Sequence, residues 1–310
     1  EPYAEPIHHY EERFDGLAAQ PIRGLVVALT DVLYRAVYET FRDIARQYGI
    51  YVSVSLNAAP ARRIEAADDA ALVAVLRGPD EPDRDYAYEA TSALPHNFVW
   101  LFEPSGEILV PDGRGGLLRS PSETGGEIRP SSAKAYLTPI EETLDKPGGG
   151  LSLASGAVRD LEVLDTPIGA IGVVISKDAW MPDVNERFDA KGASLTLQSE
   201  AFSSWAYADV PWDPDVFREG GFARLQSQGG FAFNVAPSMT GNLFDVTFDG
   251  QSAILEKRRD KSPPPAPSGE DRFLGQLADR GFVRVAPWIV ADPPTSGASL
   301  SERRRALAAL

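Results

Sequence analysis

The sequence of 310 residues contains no cysteine and only three histidines, His8, His9 and His96. Without cysteine the chain can form no disulfide, no thiolate metal site and no thiol nucleophile. A zinc site is therefore not expected, and we predict a protein that uses neither metal nor cofactor. A Ser-His-Asp triad would have to recruit His96, because His8 and His9 lie in a polar, proline-punctuated start.

Basic residues are also few, with 30 Lys and Arg against 45 Asp and Glu and a net charge of -15. Nucleic-acid binders concentrate Lys and Arg to displace counterions from phosphates, so no nucleic-acid partner is expected. No apolar run approaches the ~18 residues of a membrane-spanning helix, and no membrane partner is expected either. The composition, 43% hydrophobic and 24% charged, is that of a globular chain.

Common catalytic and nucleotide-binding motifs are missing as well. There is no Gly-x-Ser-x-Gly elbow, no phosphate-binding Gly-x-x-x-x-Gly-Lys loop, and no Gly-x-Gly-x-x-Gly between a strand and a helix. The chain begins at Glu1 without an initiator Met or a signal-peptide pattern. We therefore expect a mature or trimmed form of a soluble protein, cytoplasmic or exported with its signal removed.

Strands and helices alternate along most of the chain, which favours an α/β fold of stacked layers over an all-β sandwich. Residues 1–23 are predicted to be irregular, residues 24–292 to form one domain, and residues 293–310 to be a peripheral tail. Within the domain, residues 111–130 and 258–272 are rich in Gly, Ser or Pro and are predicted to be surface loops.

The helix with the clearest apolar spacing is predicted to begin at a Thr30 cap and to end at Gly49. Hairpins are predicted around Gly106 and across residues 166–169. The remaining predicted elements are strands at residues 50–56, 194–198, 231–235 and 246–255 and helices at residues 184–191 and 217–226.

An apolar stretch that ends at Ser176 is the most informative segment of the sequence. Asp178 follows, and Pro182 and Asp183 begin a predicted helix. A strand that ends in a small nucleophilic residue presents it at the carboxyl edge of a sheet, where open α/β folds place their chemistry. Ser176 is therefore a candidate nucleophile, although alone it is equally a small strand-end residue, with Asp178 a helix-entry acid.

The segment Ile171 to Pro182 resembles the nucleophile strand of the carbon-nitrogen hydrolase (nitrilase) superfamily, where a Gly-Val-x-x-Cys-x-Asp-x-x-x-Pro pattern carries the catalytic cysteine. Ser176 takes the place of that cysteine. Upstream, Lys134-Ala-Tyr-Leu-Thr-Pro-Ile-Glu-Glu142 resembles the lysine motif of the family. Lys134 matches the catalytic lysine, and Glu141 or Glu142 matches the auxiliary glutamate. Asn234 and Gly250-Gln-Ser252 resemble later, less specific landmarks.

This resemblance implies an α-β-β-α sandwich that hydrolyses a carbon-nitrogen bond of a small amide, or less readily a nitrile, through an acyl-enzyme. It implies that the Lys134 ammonium and the backbone N–H of Lys177 stabilise the substrate oxyanion. It also implies a two-fold homodimer, with Val184, Phe188 and the aromatics of residues 201–207 near the contact.

The chain departs from the family pattern in two ways. A serine hydroxyl is far less acidic than a thiol and needs a stronger base. The family's general-base glutamate belongs to an opening β-α-β unit, which the residues before Leu25 do not resemble. Asp31 is the local substitute, although it is also a first-turn acid of the predicted helix. Three alternatives stay open: an active hydrolase, an engineered Cys-to-Ser form of one, and a non-catalytic relative that binds ligands or assembles.

Overall fold

The computed structural model describes residues 3–77, 81–121, 125–142, 151–201, 230–243, 246–249 and 252–256. The chain divides into two compact units, residues 1–160 and 161–310, and each unit combines helices with β-sheets. The predicted α/β class is confirmed. The α-β-β-α sandwich and the single domain over residues 24–292 stay predictions. Among the described residues, no helix is both long and apolar enough to cross a membrane.

The first unit contains most of the described helices. They are α1 (Ala4–Arg13), α2 (Pro21–Ala28), α3 (Thr30–Leu33), a π-helical segment (Tyr34–Glu39), α4 (Thr40–Tyr48) and α5 (Ala66–Leu76). Its strands are β1 (Val52–Ala58), β2 (Ala61–Glu65), β3 (Tyr86–Ala90), β4 (His96–Phe102), β5 (Ile108–Pro111), β6 (Leu117–Ser120), β7 (Glu127–Ile128) and β8 (Ser132–Ala133).

Two sheets organise this unit. One has the order β1-β4-β5-β6 with β8 beside β4, and the other has the order β3-β2-β7. The predicted hairpin around Gly106 is confirmed as β4 and β5. The loop predicted for residues 111–130 instead contains β6 and β7, which at four and two residues are too short to show a strand alternation. Aromatic rings fill the core, with Tyr34, Tyr38 and Trp100 in mutual contact.

The start of the chain differs from its prediction as an irregular segment, because it contains α1. Tyr10 and Leu17 are almost fully buried and pack in one cluster with Val27 and Val73. The Tyr10 hydroxyl also accepts a hydrogen bond from the Ala90 N–H at 2.8 Å. The segment is therefore part of the core. It has about one apolar side chain per helical turn, and this periodicity is too weak to predict a helix from the sequence.

The predicted Thr30 cap is wrong, because the helical run begins upstream at Pro21. Proline suits the first helical position, where its fixed φ is already helical. Thr30 lies within the run, and its Oγ1 donates to the Val27 carbonyl at 2.6 Å. The predicted end is confirmed, since Gly49 adopts a left-handed φ of 61°.

Asp31 is buried within an ion-pair network. Its two carboxylate oxygens accept from Arg84 Nη1 and Nη2 at 2.9 and 2.7 Å, from Arg35 Nε at 3.0 Å, and from the Tyr88 N–H at 2.9 Å. Guanidinium and amide donors thus occupy both oxygens, as in a buried ion pair that stabilises a fold. The geometry therefore favours a structural role for Asp31 over the role of general base.

The second unit is built on a five-stranded sheet. Its elements are β9 (Leu164–Thr166), β10 (Gly169–Ile175), α6 (Pro182–Ala190), β11 (Leu195–Ser199), β12 (Phe233–Ala236), β13 (Thr240–Leu243), β14 (Val246–Asp249) and β15 (Ala253–Glu256). The sheet has the order β15-β12-β11-β10-β9, with β10, β11 and β12 parallel. The hairpin predicted across residues 166–169 is confirmed as β9 and β10. The strand predicted for residues 246–255 is instead two, β14 and β15.

Helix α6 packs on the sheet of its own unit. A Cβ at Gly172 would lie 3.0 Å from the Phe188 ring, so the ring lies directly on β10. Val184 and Phe188 are fully buried. They are therefore core residues of this unit, and the homodimer with this edge near the contact stays a prediction. Outside the described residues lie the predicted helix at residues 217–226, the loop at 258–272, the tail at 293–310 and the aromatics of residues 202–207.

We expect Arg84→Met to lower the free energy of unfolding by about 3 kcal/mol, because it strips a buried carboxylate of its main partner. Arg119→Met is the matched control. Arg119 pairs with Glu103 but its side chain is 54% exposed, so its loss should cost about 1 kcal/mol or less. Urea denaturation of the full chain measures both values, and equal losses would contradict a stabilising role for the Asp31 network.

Candidate active site

Lys134 follows β8 directly, and backbone hydrogen bonds fix its position. Its N–H donates to the Asn97 carbonyl at 2.8 Å, and its own carbonyl accepts from the Gly156 N–H at 2.7 Å. A Cβ at Gly156 would lie 2.8 Å from the Ala133 carbonyl oxygen, so only glycine allows this approach. The lysine backbone is thus held between β4 and the segment around Gly156.

The Lys134 ammonium is buried against a single carboxylate. The side chain of Lys134 is 2% exposed, and Nζ donates to Glu141 Oε1 at 2.9 Å and to Oε2 at 2.7 Å. Glu141 also accepts from the Thr138 N–H and hydroxyl at 2.7 and 2.9 Å, and from Asn97 Nδ2 at 2.8 Å. Burying a charged group is costly unless it is paired and hydrogen-bonded, and this pair meets both conditions.

The Glu141 carboxyl is held in its ionised form. Burial raises the pKa of this carboxyl, but the hydrogen bonds and charge of Lys134, with the donors from Thr138 and Asn97, outweigh burial and lower it. Glu141 therefore acts as a fixed anion that orients the ammonium.

The sequence left Glu141 and Glu142 as alternatives, and the structure brings Glu141 to Lys134. Glu142 is exposed. The main chain reinforces this arrangement, because the Glu141 carbonyl accepts from the Leu153 N–H at 2.8 Å. Sequence reasoning missed Asn97 and Thr138. A polar residue at the start of an otherwise apolar strand, and a threonine inside the lysine motif, were the available signals.

Ser176 lies in the second unit, directly after β10. Its φ of 47° is left-handed, which among the described non-glycine residues only Ser152 shares. Such a conformation is uncommon for a residue with a Cβ and is typical of sharp turns at functional positions. Ser176 also opens a short 3-10 helix that ends at Trp180, with Lys177 in second place and Asp178 buried. The predicted placement at the carboxyl end of a buried strand is therefore what the structure has.

Lys134 belongs to the first unit and Ser176 to the second, so their convergence in one pocket stays a prediction. The described residues hold no group of three or more His, Asp or Glu able to bind a metal ion. His96 forms an isolated bridge with Ala154, and burial lowers the pKa of its imidazole.

On the sheet of the second unit, Asn234, one of the landmarks of the resemblance, belongs to a row of polar side chains whose other members the sequence analysis missed. We call it the polar row: Thr196, Gln198, Glu200 and Asn234. Each is at most 7% exposed. Asn234 Nδ2 donates to Thr196 Oγ1 at 2.7 Å and to Gln198 Oε1 at 3.1 Å, and Gln198 Nε2 donates to Glu200 Oε1. Thr196 and Gln198 alternate with apolar neighbours on β11, which is the sequence signal for one polar face.

Comparisons with solved structures found chains to which this one is similar. The carbon-nitrogen hydrolase from Helicobacter pylori G27 is 16% identical, with a TM-score of 0.45 over 73% of this chain and 62% of that one. The amidase from Nesterenkonia sp. AN1 is 17% identical, with a TM-score of 0.43 over 81% of this chain and 75% of that one.

A Cys-to-Ser variant of the same amidase, which is from the nitrilase superfamily, is 17% identical with a TM-score of 0.42. That match covers 74% of this chain and 65% of the variant. This chain thus spans less than two thirds of the length of the Helicobacter protein. No protein-family model and no curated protein sequence matches it.

We expect Glu141→Gln to flatten the dependence of stability on pH in the acid range. Because the folded pKa of Glu141 is below its ordinary value of 4.5, its stabilisation is present above that value and is lost as the pH falls through the folded pKa. Denaturation midpoints between about pH 6 and about pH 3 measure this effect. The exposed Glu142→Gln variant is the control and should follow the unsubstituted chain. If stability depends on pH in the same way in all three proteins, Glu141 is not the carboxyl that the ion pair with Lys134 holds ionised.

Proposed function

We propose that this chain is an amidase-like hydrolase of carbon-nitrogen bonds, with the fold and acyl-enzyme chemistry of the nitrilase superfamily. The observation that carries the proposal is the Lys134 ammonium, buried and held by both oxygens of Glu141 within the motif that resembles the family's lysine motif. A lysine kept only for solubility would be exposed, as lysines normally are.

Ser176 supplies the second part of the proposed site. In the proposed reaction its Oγ attacks the amide carbon, the amine leaves, and water releases the acid from the resulting ester. An ammonium has three N–H donors, and Glu141 takes two of those of Lys134, which leaves one for the substrate oxygen. The Lys177 N–H is the proposed second donor to that oxygen.

The proposed substrate class is a small amide in preference to a nitrile. The Nesterenkonia amidase has been solved as a Cys-to-Ala mutant in complex with butyramide and as a double mutant in complex with acrylamide, so these two amides are natural first probes. By the same resemblance we propose a two-fold homodimer.

A non-catalytic relative that binds ligands or assembles is the second candidate. It is favoured by Ser176 itself, because a hydroxyl is a weak nucleophile without a strong base. The two candidates differ in whether acyl groups ever become attached to Ser176.

We predict that Lys134 and Ser176 line one pocket with Glu141. An experimental structure should place Lys134 Nζ within about 8 Å of Ser176 Oγ, because a larger separation is well outside the reach of polar contact. A larger separation of these two atoms, in the crystal and in solution, would exclude a shared site of Lys134, Glu141 and Ser176.

We expect Ser176→Cys to raise amide hydrolysis or to accumulate a thioester, because a thiol reaches its nucleophilic ionised form more easily than a hydroxyl. Intact-mass spectrometry with butyramide and acrylamide, together with ammonia release, measures both outcomes. Ser176→Ala is the control and should give neither product nor adduct. If Ser176→Cys stays inert towards amides and nitriles, the non-catalytic candidate becomes the better account.

A further inference from the structure

Burying the polar row on a face of the sheet costs free energy. Four polar side chains at most 7% exposed replace the apolar residues that would otherwise stabilise this core. Their hydrogen bonds form a chain that starts at Thr196, passes through Asn234 and Gln198, and ends on the Glu200 carboxylate. Such a chain restricts the orientation of the group at its end.

Glu200 lies at the same edge of the sheet as Ser176. The parallel register pairs Ile175, the last residue of β10, with Ser199, the last residue of β11. Ser176 and Glu200 are the next residues along each strand. Neighbouring strands are about 4.8 Å apart, and the turn that begins at Ser176 lies against β11.

The backbone of Glu200 is fixed at this edge. Its N–H donates to the Pro237 carbonyl at 3.0 Å, and its carbonyl accepts from the Met239 N–H at 2.9 Å. Glu200 is therefore held to the chain that follows β12, and its carboxylate is held by Gln198. Asp178, the other buried acid near Ser176, lies inside the 3-10 helix, where an acid stabilises the helix start.

We infer that Glu200 is the general base that activates Ser176, with Gln198 as the residue that positions its carboxylate. The inference rests on the proposed function. When Ser176 Oγ bonds to the amide carbon, its proton passes to Glu200. When the C–N bond breaks, Glu200 returns that proton to the leaving amine. In the second half it takes a proton from the attacking water and gives it to Ser176 Oγ as the ester C–O bond breaks.

The test measures acylation of the full chain by p-nitrophenyl butyrate. In this reaction the Oγ–acyl bond forms, p-nitrophenolate leaves, and the hydroxyl proton passes to the base. The rate of the p-nitrophenolate burst gives the acylation rate, and peptide mapping locates the butyryl group. Glu200→Gln should lower the rate at Ser176 by about 100-fold, a typical contribution of general-base catalysis.

Two controls separate catalysis from folding. Glu186→Gln makes the same chemical change at an exposed position of α6 and should keep the full rate. In the Ser176→Cys background, Glu200→Gln should lower the acylation rate by a clearly smaller factor, because a thiol ionises with less help than a hydroxyl. Thermal unfolding of each variant confirms that the second unit still folds.

The outcomes distinguish this inference from the proposed function. If the unsubstituted chain gains no butyryl group at Ser176, both are overturned. If Ser176 is acylated and Glu200→Gln leaves the rate unchanged, or lowers it equally in both backgrounds, only the role of Glu200 is overturned. A loss confined to Asp178→Asn would assign the base to Asp178 instead.

Discussion

The ion pair of Lys134 and Glu141 is the interaction on which the arrangement of the surrounding segments of the first unit depends. An ammonium taken out of water needs a fixed carboxylate, and a fixed carboxylate needs further donors for its remaining lone pairs. Asn97 from β4 and Thr138 from the lysine motif supply them. Gly156 and Leu153 then hold the main chain of the two charged residues. Asn97, Leu153 and Gly156 lie outside the lysine motif, so these supporting contacts form only when the unit has folded.

The second unit meets a similar requirement in a different way. Its polar row carries a single carboxylate, Glu200, and neutral amide and hydroxyl groups donate hydrogen bonds to one another along the row. A neutral row costs less to bury than a series of charges. It can therefore extend across two strands of the core and still end in an acid at the sheet edge.

The sequence was informative where a pattern is local. The strand before Ser176 and the end of the long helix at Gly49 were predictable, because a run of apolar residues and a glycine at a helix end are local signals. The contacts of Asp31 and the partner of Lys134 depend on residues that folding brings together. No spacing distinguishes Glu141 from Glu142, since only the packed structure turns one inward and leaves the other exposed.

The left-handed backbone at position 176 limits which residues can replace Ser176 in evolution. A β-branched side chain is strongly disfavoured at a φ of 47°, so threonine and valine are poor replacements there. Serine and cysteine differ by one atom and share the unbranched Cβ that this turn tolerates. The position can therefore exchange a hydroxyl for a thiol in a single step without rebuilding the strand end, whereas threonine, the other small hydroxyl residue, would strain the turn.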